Sequence, residues 1–519
     1  MRGEAREDRF FATVNPTVFT ASALLIGGFV AFGVAFPEQA TAVFQRLHGL
    51  ITAYLGWSYL VVVTFFVGFL IWLGLSRYGQ IRLGQPGDRP HFRFPAWFAM
   101  LFSAGMGIGL VFWSIAEPIL HYQNPPSGTG GTPQAASQAM VYTFFHWGLH
   151  AWAVYVVLGL SVAYFSFRHQ LPLTIRSIFH PLIGDRIYGP IGHTIDVLAV
   201  FGTLFGLATS LGFGAMQLNT GLHELLGMPV DPLWQVGIIA TITGFAVLSV
   251  LSGLDRGLKW LSVFNLALAL VLLAFIFIAG PSLFLVRFLL ESIGGYFQQL
   301  VGLSLSTGAM GNTAWHEDWT MFYWGWWIAW SPFVGIFIAR ISRGRTIREF
   351  IAGVLALPTL FVFVWLAVFG GTALHSEVLG ESAGIAAAVS EDTTVALYRT
   401  LDALPWTTLS SALATLLITT YFVTSSDSGT FVVDSLISRG AKHSPRRQRV
   451  IWGITEGAVA ATLLLVGGET ALQGLQTGAL TAGLPVAVIL VVCCVSLLRA
   501  LRYESPGTDI QPIGRGSGE

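Results

Sequence analysis

The sequence predicts an all-α polytopic membrane protein, and three observations lead to that prediction. Only 10% of the 519 residues are Asp, Glu, Lys or Arg, whereas soluble domains carry about 25%. Hydrophobic residues make up 54% of the chain, and the mean hydropathy is +0.68. The apolar residues occur in runs of about 20, which is the length of a membrane-spanning helix and not the alternating pattern of a barrel strand. A water-soluble enzyme is therefore excluded.

The charges and cysteines exclude further classes of function. With 27 basic and 27 acidic residues the net charge is zero, which gives no reason to expect a nucleic-acid partner. The two cysteines, Cys493 and Cys494, are adjacent within an apolar run. They fit neither a disulfide framework nor a metal-ligand spacing, so no redox cofactor is expected.

The apolar runs predict 12 transmembrane helices, the first of them too long to be a signal peptide. Two segments, 281–305 and 38–52, have the pattern of interfacial helices on the outer side, and 373–404 is predicted to be an outer loop. The predicted spans are 15–36, 55–76, 94–118, 139–165, 193–213, 234–252, 260–280, 320–340, 350–372, 407–426, 450–467 and 477–498.

The distribution of Lys and Arg predicts that both termini are cytoplasmic. With that orientation, 24 of the 27 basic residues lie on the inner side, and only Arg46, Arg287 and Arg399 lie outside. Positive charge accumulates in cytoplasmic loops. An odd number of spans would destroy this pattern, so the count is predicted to be even.

The third predicted span contains Gly105, Gly107 and Gly109 near its middle. Each glycine weakens a helix by about 1 kcal/mol, and non-helical backbone at this depth is tolerated only where it is buried or lines a cavity. Carbonyl groups freed by such a break suit Na⁺. The spacing from Gly105 to Gly109 equally fits close helix packing, and the sequence alone leaves both interpretations open.

Two spans carry unusual aromatic faces. Trp326, Trp327 and Trp330 share one face of the eighth span, and the fourth span carries a second face, formed by Trp147, Trp152 and Tyr155. Such faces can enclose a quaternary ammonium group by cation–π attraction. Ordinary aromatic core packing is the alternative for each span taken separately.

Polar residues within the spans offer two further candidates. The segment Thr424–Ser428 lies at the inner end of the tenth span and contains one acid and four hydroxyl residues. These side chains are either cation ligands or a hydrophilic helix end, and in the second case Asp427 is a solvated end residue. His146 and His150 have the i, i+4 spacing of a zinc pair, but no third ligand or general base is predicted nearby. A metal site and an intramembrane enzyme are therefore disfavoured.

These features, in this order, resemble the betaine/carnitine/choline transporter (BCCT) family over roughly residues 13–500. The segment Ser103–Pro118 is similar to the family's third-span motif. The segment Trp319–Phe333, continuing through Ala339–Phe350, is similar to its signature segment. The segments Phe145–Tyr155 and Thr424–Ser428 agree as well.

The resemblance implies a leucine-transporter-like core of two inverted five-helix repeats, formed by spans 3–7 and 8–12 and preceded by two extra helices. The implied organisation is a cytoplasmic N-terminal tail (1–12), two peripheral helices with an inner loop (13–93), the first repeat (94–280), an outer interfacial helix and loop (281–318), the second repeat (319–500) and a cytoplasmic tail (501–519).

The resemblance also implies the site residues. Those implied to bind substrate are Trp147, Trp152, Tyr155, Trp327, Trp330, Trp326 and Met106. Those implied to hold a sodium ion are Ser103, Met106, Thr424 and Ser425, with Tyr421 nearby. A second sodium site would use Thr203 and Phe333, but its other hydroxyl position is occupied here by Leu207, so the stoichiometry stays open.

The function implied is secondary active import of a quaternary-ammonium compatible solute, driven by Na⁺ symport through alternating access. Gly109 matches betaine-type members, which favours glycine betaine or a close analogue. The alternatives are H⁺-coupled choline uptake and sodium-independent carnitine/betaine exchange; a channel is disfavoured because no pore loop is repeated. The family further implies a homotrimer in the plasma (inner) membrane. The short tail lacks the basic helix of osmotically regulated members.

Overall fold

The computed structural model describes residues 13–105, 107–252, 255–380, 384–438, 440, 445–467 and 471–504, without the side chains of 99, 102–105, 249–252 and 255–260. The predicted tail 1–12, most of the tail 501–519, and Met106 lie outside this description. The described residues are predominantly helical. Their only β-pairing is an isolated bridge between Arg82 and Thr346.

Nineteen α-helices follow one another along the described chain. They are α1 Pro16–Ala35, α2 Pro37–Leu75, α3 Phe94–Gly105, α4 Ile108–Gln123, α5 Pro133–Trp147, α6 Leu149–Ala163, α7 His180–Ile183, α8 Pro190–Leu226, α9 Pro232–Ser252, α10 Asp255–Ala279, α11 Ser282–Ser304, α12 Thr313–His316, α13 Phe322–Ile341, α14 Ile347–Val378, α15 Ile385–Glu391, α16 Ala396–Asp402, α17 Thr407–Ile437, α18 Arg446–Val466 and α19 Ala471–Leu501.

Ten helical segments in the described chain are long and apolar enough to cross a membrane. This confirms a polytopic helical membrane protein. The two other predicted spans correspond to the interrupted pair α3 and α4, and to α9, Pro232–Ser252. Twelve spans and the inverted repeat therefore stay predictions.

The prediction of a separate interfacial helix at 38–52 is wrong. The chain forms one continuous 39-residue helix, α2, from Pro37 to Leu75. Pro37 stands at the first helical position, where its missing N–H costs nothing. No further proline follows before Pro86, so nothing in this stretch forces the helix to stop.

The outer segments are more ordered than the sequence suggests. The predicted helix at 281–305 is confirmed as α11, which buries Tyr296 against the rest of the protein and exposes Phe297 and Val301. The predicted outer loop 373–404 instead contains the two short helices α15 and α16. The carboxylate of Glu377 accepts the backbone N–H groups of Ile385 and Ala386 at the start of α15.

The predicted inner loops meet at one end of the bundle. Arg343 pairs with Asp88 at 3.2 Å, and the Arg168 guanidinium lies 2.6 Å from the Glu504 carboxylate. Glu504 is buried, so the beginning of the predicted C-terminal tail packs against the inner loops. Burial opposes ionisation of Glu504, but the nearby His169 ring, 3.4 Å away, the hydrogen bond from the Tyr164 hydroxyl and the charge of Arg168 outweigh burial and hold its pKa below the usual value.

Candidate functional site

The glycine motif of the third predicted span interrupts the helix, as one of its two interpretations predicted. Helix α3 ends at Gly105 and α4 begins at Ile108, and Gly107 between them is extended, with φ −152° and ψ −179°. Met106, implied for both substrate and sodium, lies outside the described residues, as does the side chain of Ser103. Their roles stay predictions.

The glycines also allow α4 to approach the aromatic face of α13. A Cβ atom on Gly109 would lie 2.2 Å from Cη2 of Trp326, closer than real Cβ contacts come. A Cβ atom on Gly107 would meet the Trp330 ring at an ordinary 3.7 Å. The close approach of Trp326 therefore requires glycine at position 109. The glycine motif thus both interrupts the helix and allows close packing of α4 against α13.

The fourth predicted span is also interrupted, although its sequence contains only one glycine near the break. Helix α5 ends at Trp147 and α6 begins at Leu149, with Gly148 at φ −88° and ψ −138° between them. The freed N–H of Leu149 donates to the Tyr296 hydroxyl of α11 at 3.2 Å. Trp147 and Trp152, predicted to share a face of the fourth span, therefore stand on different helices.

The aromatic side chains of α5, α6 and α13 nevertheless converge. The ring centroids of Trp147 and Trp327 lie 4.8 Å apart with planes at 71°, and Tyr155 is 6.2 Å from Trp327 at 78°. Tyr155 also lies 6.3 Å from Trp330 and 5.6 Å from Trp152, edge to face in both cases. We call Trp147, Trp152, Tyr155 and Trp327 the aromatic box.

Two tryptophan rings are fixed from behind by backbone carbonyl groups. The indole N–H of Trp327 donates to the carbonyl of His146 at 2.9 Å. That of Trp326 donates to the carbonyl of Gly206 at 3.3 Å, and its ring stacks on Trp327 at 4.7 Å. Such anchoring leaves few orientations open to the rings.

A small cavity lies inside the aromatic box. Among the described residues, its lining includes no acidic side chain. The lining residues are Gly107, Gly109, Leu110, Trp147, Ala151, Trp152, Tyr155, Trp326, Trp327, Trp330 and Val362. Ring faces and edges therefore determine what this cavity can bind.

A buried carboxyl group stands directly behind the box. Glu117 of α4 accepts the indole N–H of Trp147 at 2.8 Å and the hydroxyl hydrogen of Tyr323, both on Oε2. Its Oε1 lies 2.7 Å from Nδ1 of His146 and 3.2 Å from Nε2 of His121. Glu117 thus joins α4, α5 and α13 through side-chain contacts alone.

The expectation that His146 has no third ligand or acid nearby is wrong. The ligand-type atoms of Glu117, His121 and His146 all lie within 4.8 Å of one another, which is compatible with a metal ion. The ring of His150 lies outside this cluster, with its Nε2 atom 2.9 Å from the Ser304 hydroxyl. His146 and His150 therefore do not form a zinc-binding pair. The break at Gly148 separates the two histidines.

The hydroxyl residues implied for sodium lie on α17. The Thr424 hydroxyl bonds to backbone carbonyls of its own helix and accepts the amide N–H of Asn265 at 3.0 Å. Ser425 is half-buried and Tyr421 is buried. The expectation that Asp427 is a solvated end residue is wrong, because α17 continues to Ile437 and buries it.

The residues of the implied second sodium site make other contacts. The Thr203 hydroxyl donates to the carbonyl of Ala199 at 2.8 Å, and Phe333 stacks on Trp330 at 5.8 Å. Leu207 packs against the backbone of Gly429 on α17.

Among the buried acids that were assigned no role from the sequence are Glu117 of α4 and Glu456 of α18, both fully buried. The sequence position of each acid already indicated a function, because an ionisable residue within a predicted membrane span is by default a functional candidate. Glu117 was part of a quoted motif but was assigned no role.

A bundle of membrane-spanning helices interrupted beside a central small-molecule cavity is the architecture of a transporter. The chain belongs to the betaine/carnitine/choline transporter (BCCT) family. The model of that family matches residues 17–506. Members of this family are transporters and not enzymes, and this holds for the present chain.

Individual relatives are similar over almost the whole chain. A probable glycine betaine transporter of Desulfitobacterium hafniense is 45% identical, covering 95% of this chain and 98% of that protein. The glycine betaine transporter OpuD of Bacillus subtilis is 45% identical, covering 94% of both chains. An uncharacterized transporter of Mycobacterium tuberculosis is 47% identical, covering 96% of this chain and 84% of that protein.

Proposed function

We propose that this protein imports glycine betaine or a close analogue by Na⁺-coupled symport. The observation that carries the proposal is the aromatic box, in which indole and phenol rings meet edge to face around a cavity. A trimethylammonium group cannot donate hydrogen bonds, so ring faces that attract positive charge are its natural ligands. Relatives that are 42–45% identical and described as glycine betaine transporters support the same substrate.

The lining of the cavity, which includes Trp330 beside the box, also offers donors for the carboxylate of a betaine. The indole nitrogen of Trp330 and the hydroxyl of Tyr155 are buried, and no hydrogen-bond partner is found for either within the described ranges. An unpaired buried donor costs about 1–3 kcal/mol. A carboxylate bound there would remove that cost, whereas choline, which has a hydroxyl group, would do so less well.

Sodium coupling rests on the interrupted helix and the hydroxyl groups of α17. Carbonyls released at an intramembrane break and nearby hydroxyls are the ligands that transporters offer to Na⁺. Na⁺ can drive uptake only by binding one conformational state more tightly than the other. The family resemblance further supports a homotrimer in the inner membrane with cytoplasmic termini, which mass measurement in nanodiscs and terminal protease accessibility would test.

The direct test is uptake of labelled betaine by the purified protein in proteoliposomes. An inward Na⁺ gradient should accelerate uptake, and replacement of Na⁺ by K⁺ or Li⁺ should abolish the acceleration. Equal uptake in all three salts would contradict the coupling. Choline transported better than betaine, driven by a pH gradient, would instead favour the H⁺-coupled alternative. Betaine exchanged against carnitine without Na⁺ would favour exchange.

A further inference from the structure

A second buried acid lies at the middle of α18, away from the residues that line the aromatic box. Glu456 is 0% exposed and stands ten residues into α18, about 15 Å along the helix from Arg446,. A carboxyl group at this depth is costly unless it is neutralised by a proton or a cation. Its position therefore calls for a functional explanation.

Oxygen atoms from α17 surround this carboxyl group. The Thr430 hydroxyl donates to Oε2 of Glu456 at 3.3 Å. The Ser426 hydroxyl lies beside the same group, and Asp427 is the titratable neighbour that acts on its charge. All three residues are buried. Hydroxyl and carboxylate oxygens are the ligands that hard cations prefer.

Two of these oxygen atoms, Oε1 of Glu456 and Oγ of Ser426, make no hydrogen bond to the described residues. No hydrogen-bond donor of the described residues reaches Oε1 of Glu456, and the Ser426 hydroxyl, although adjacent, is outside hydrogen-bonding geometry with any of them. Buried polar atoms are normally satisfied. A cation bound between them would use both, and so would a proton shared with the Ser426 hydroxyl.

The location is linked to the implied second sodium site. A Cβ atom on Gly429 would lie 1.8 Å from Cδ2 of Leu207 and 3.2 Å from Oε2 of Glu456. Leu207 and Glu456 therefore flank the same point on α17. Leu207 occupies the position at which a second sodium ligand is missing, and Glu456 brings a carboxyl oxygen to the adjacent volume.

We propose that Glu456, with Ser426, Thr430 and Asp427, forms a second cation site, which holds a monovalent cation, Na⁺ or H⁺. The proposal rests on the proposed function, since it assigns a coupling ion to betaine transport. In this arrangement the carboxyl group of α18 takes the place of the hydroxyl absent at position 207.

The test compares the wild type with Glu456→Gln in proteoliposomes. Initial rates of betaine uptake are measured against external Na⁺ and, separately, with an imposed pH gradient at fixed Na⁺. Loss of one charge-assisted contact should raise the half-saturating Na⁺ concentration about tenfold and reduce the cooperativity in Na⁺. If the site holds a proton, Glu456→Gln should instead remove the response to the pH gradient.

Three variants provide controls. Thr430→Val and Ser426→Ala should produce the same change in smaller degree. Thr462→Val, which removes another buried hydroxyl of α18, should behave as the wild type. Betaine binding by each purified variant reports that the protein is folded.

An unchanged dependence on both Na⁺ and pH in Glu456→Gln would overturn this proposal while leaving the proposed function intact. A wild type that does not transport betaine, or transports it without any coupling ion, would overturn the proposed function itself. The two failures are therefore distinguishable.

Discussion

The indole N–H of Trp147 donates a hydrogen bond of 2.8 Å to the carboxyl group of Glu117, across 30 residues of sequence and between two helices. The indole belongs to the aromatic box, and the carboxyl group belongs to the helix that begins at the glycine break. This contact makes the orientation of one box ring dependent on the position of α4. The same carboxyl group holds Tyr323 of α13.

Glu117→Gln should weaken betaine binding through Trp147. The amide oxygen can still accept from Trp147 and Tyr323, but its NH₂ group then faces the ring nitrogens of His121 and His146, which must change tautomer or lose their contact,. Because leaving a buried hydrogen-bonding group without its partner costs about 1–3 kcal/mol, we expect the Kd for betaine to rise about tenfold. Titration followed by tryptophan fluorescence would measure it.

Two readouts separate positioning of Trp147 from general damage to the fold. The emission spectrum should shift with Glu117→Gln even without ligand. Glu377→Gln, which alters a carboxylate of α14 that accepts N–H groups from the start of α15, should change neither the spectrum nor the Kd. Unaltered affinity and spectrum in Glu117→Gln would show that Glu117 does not position Trp147.

Gly109→Ala should disturb the face of α13 that lines the box. The added methyl group would lie 2.2 Å from Trp326 Cη2, and Trp326 is held by its hydrogen bond to Gly206. Overpacking of this kind costs about 1–3 kcal/mol. We expect a lower thermal unfolding midpoint and weaker betaine binding.

Gly68→Ala in α2 is the matched control, because a Cβ atom there meets nothing within 4 Å. Alanine favours a helix over glycine, so this variant should be as stable as the wild type or slightly more stable. Equal stability and affinity of Gly109→Ala and Gly68→Ala would show that α4 can move away from Trp326 at no cost.

Glu504→Gln should destabilise the protein near neutral pH but not in acid. The pKa of Glu504 is lowered in the folded protein, so its stabilising effect is present above its unfolded pKa and is lost as the pH falls through the folded pKa. Removing one partner of the buried pair with Arg168 should cost about 3 kcal/mol at about pH 7.

Thermal unfolding of both proteins at about pH 7 and about pH 3 would measure this difference. Glu391→Gln, at an exposed position, should have little effect at either pH. A difference between wild type and Glu504→Gln that persists unchanged in acid would exclude ionisation of Glu504 as its source.

Local spacing predicted much of the site, and long-range contacts account for what it missed. The rings of Trp327 and Trp330 share a helix face because they are three residues apart, which any helix imposes. The contact of Tyr323 with Glu117 spans 206 residues, and no local pattern contains it. The glycine break was suggested by three glycines in five residues.

Helix boundaries were harder to predict for a related reason. The single Gly148 interrupts a span because Tyr296, from a distant helix, satisfies the freed N–H of Leu149. A lone glycine gives no such indication in sequence. Asp427 was assigned to a helix end because hydropathy falls there, but neighbouring helices bury polar residues that composition alone would place in water.

The central claim is that the aromatic box binds the quaternary ammonium group, and betaine binding to Trp327→Leu tests it most directly. Calorimetric titration of the wild type, Trp327→Leu and Trp234→Leu, an exposed tryptophan of α9, should show loss of binding only in Trp327→Leu. Removal of a desolvated cation–π contact of about 2 kcal/mol predicts at least about 30-fold weaker binding. A folded Trp327→Leu variant that binds betaine as tightly as the wild type would contradict the assignment.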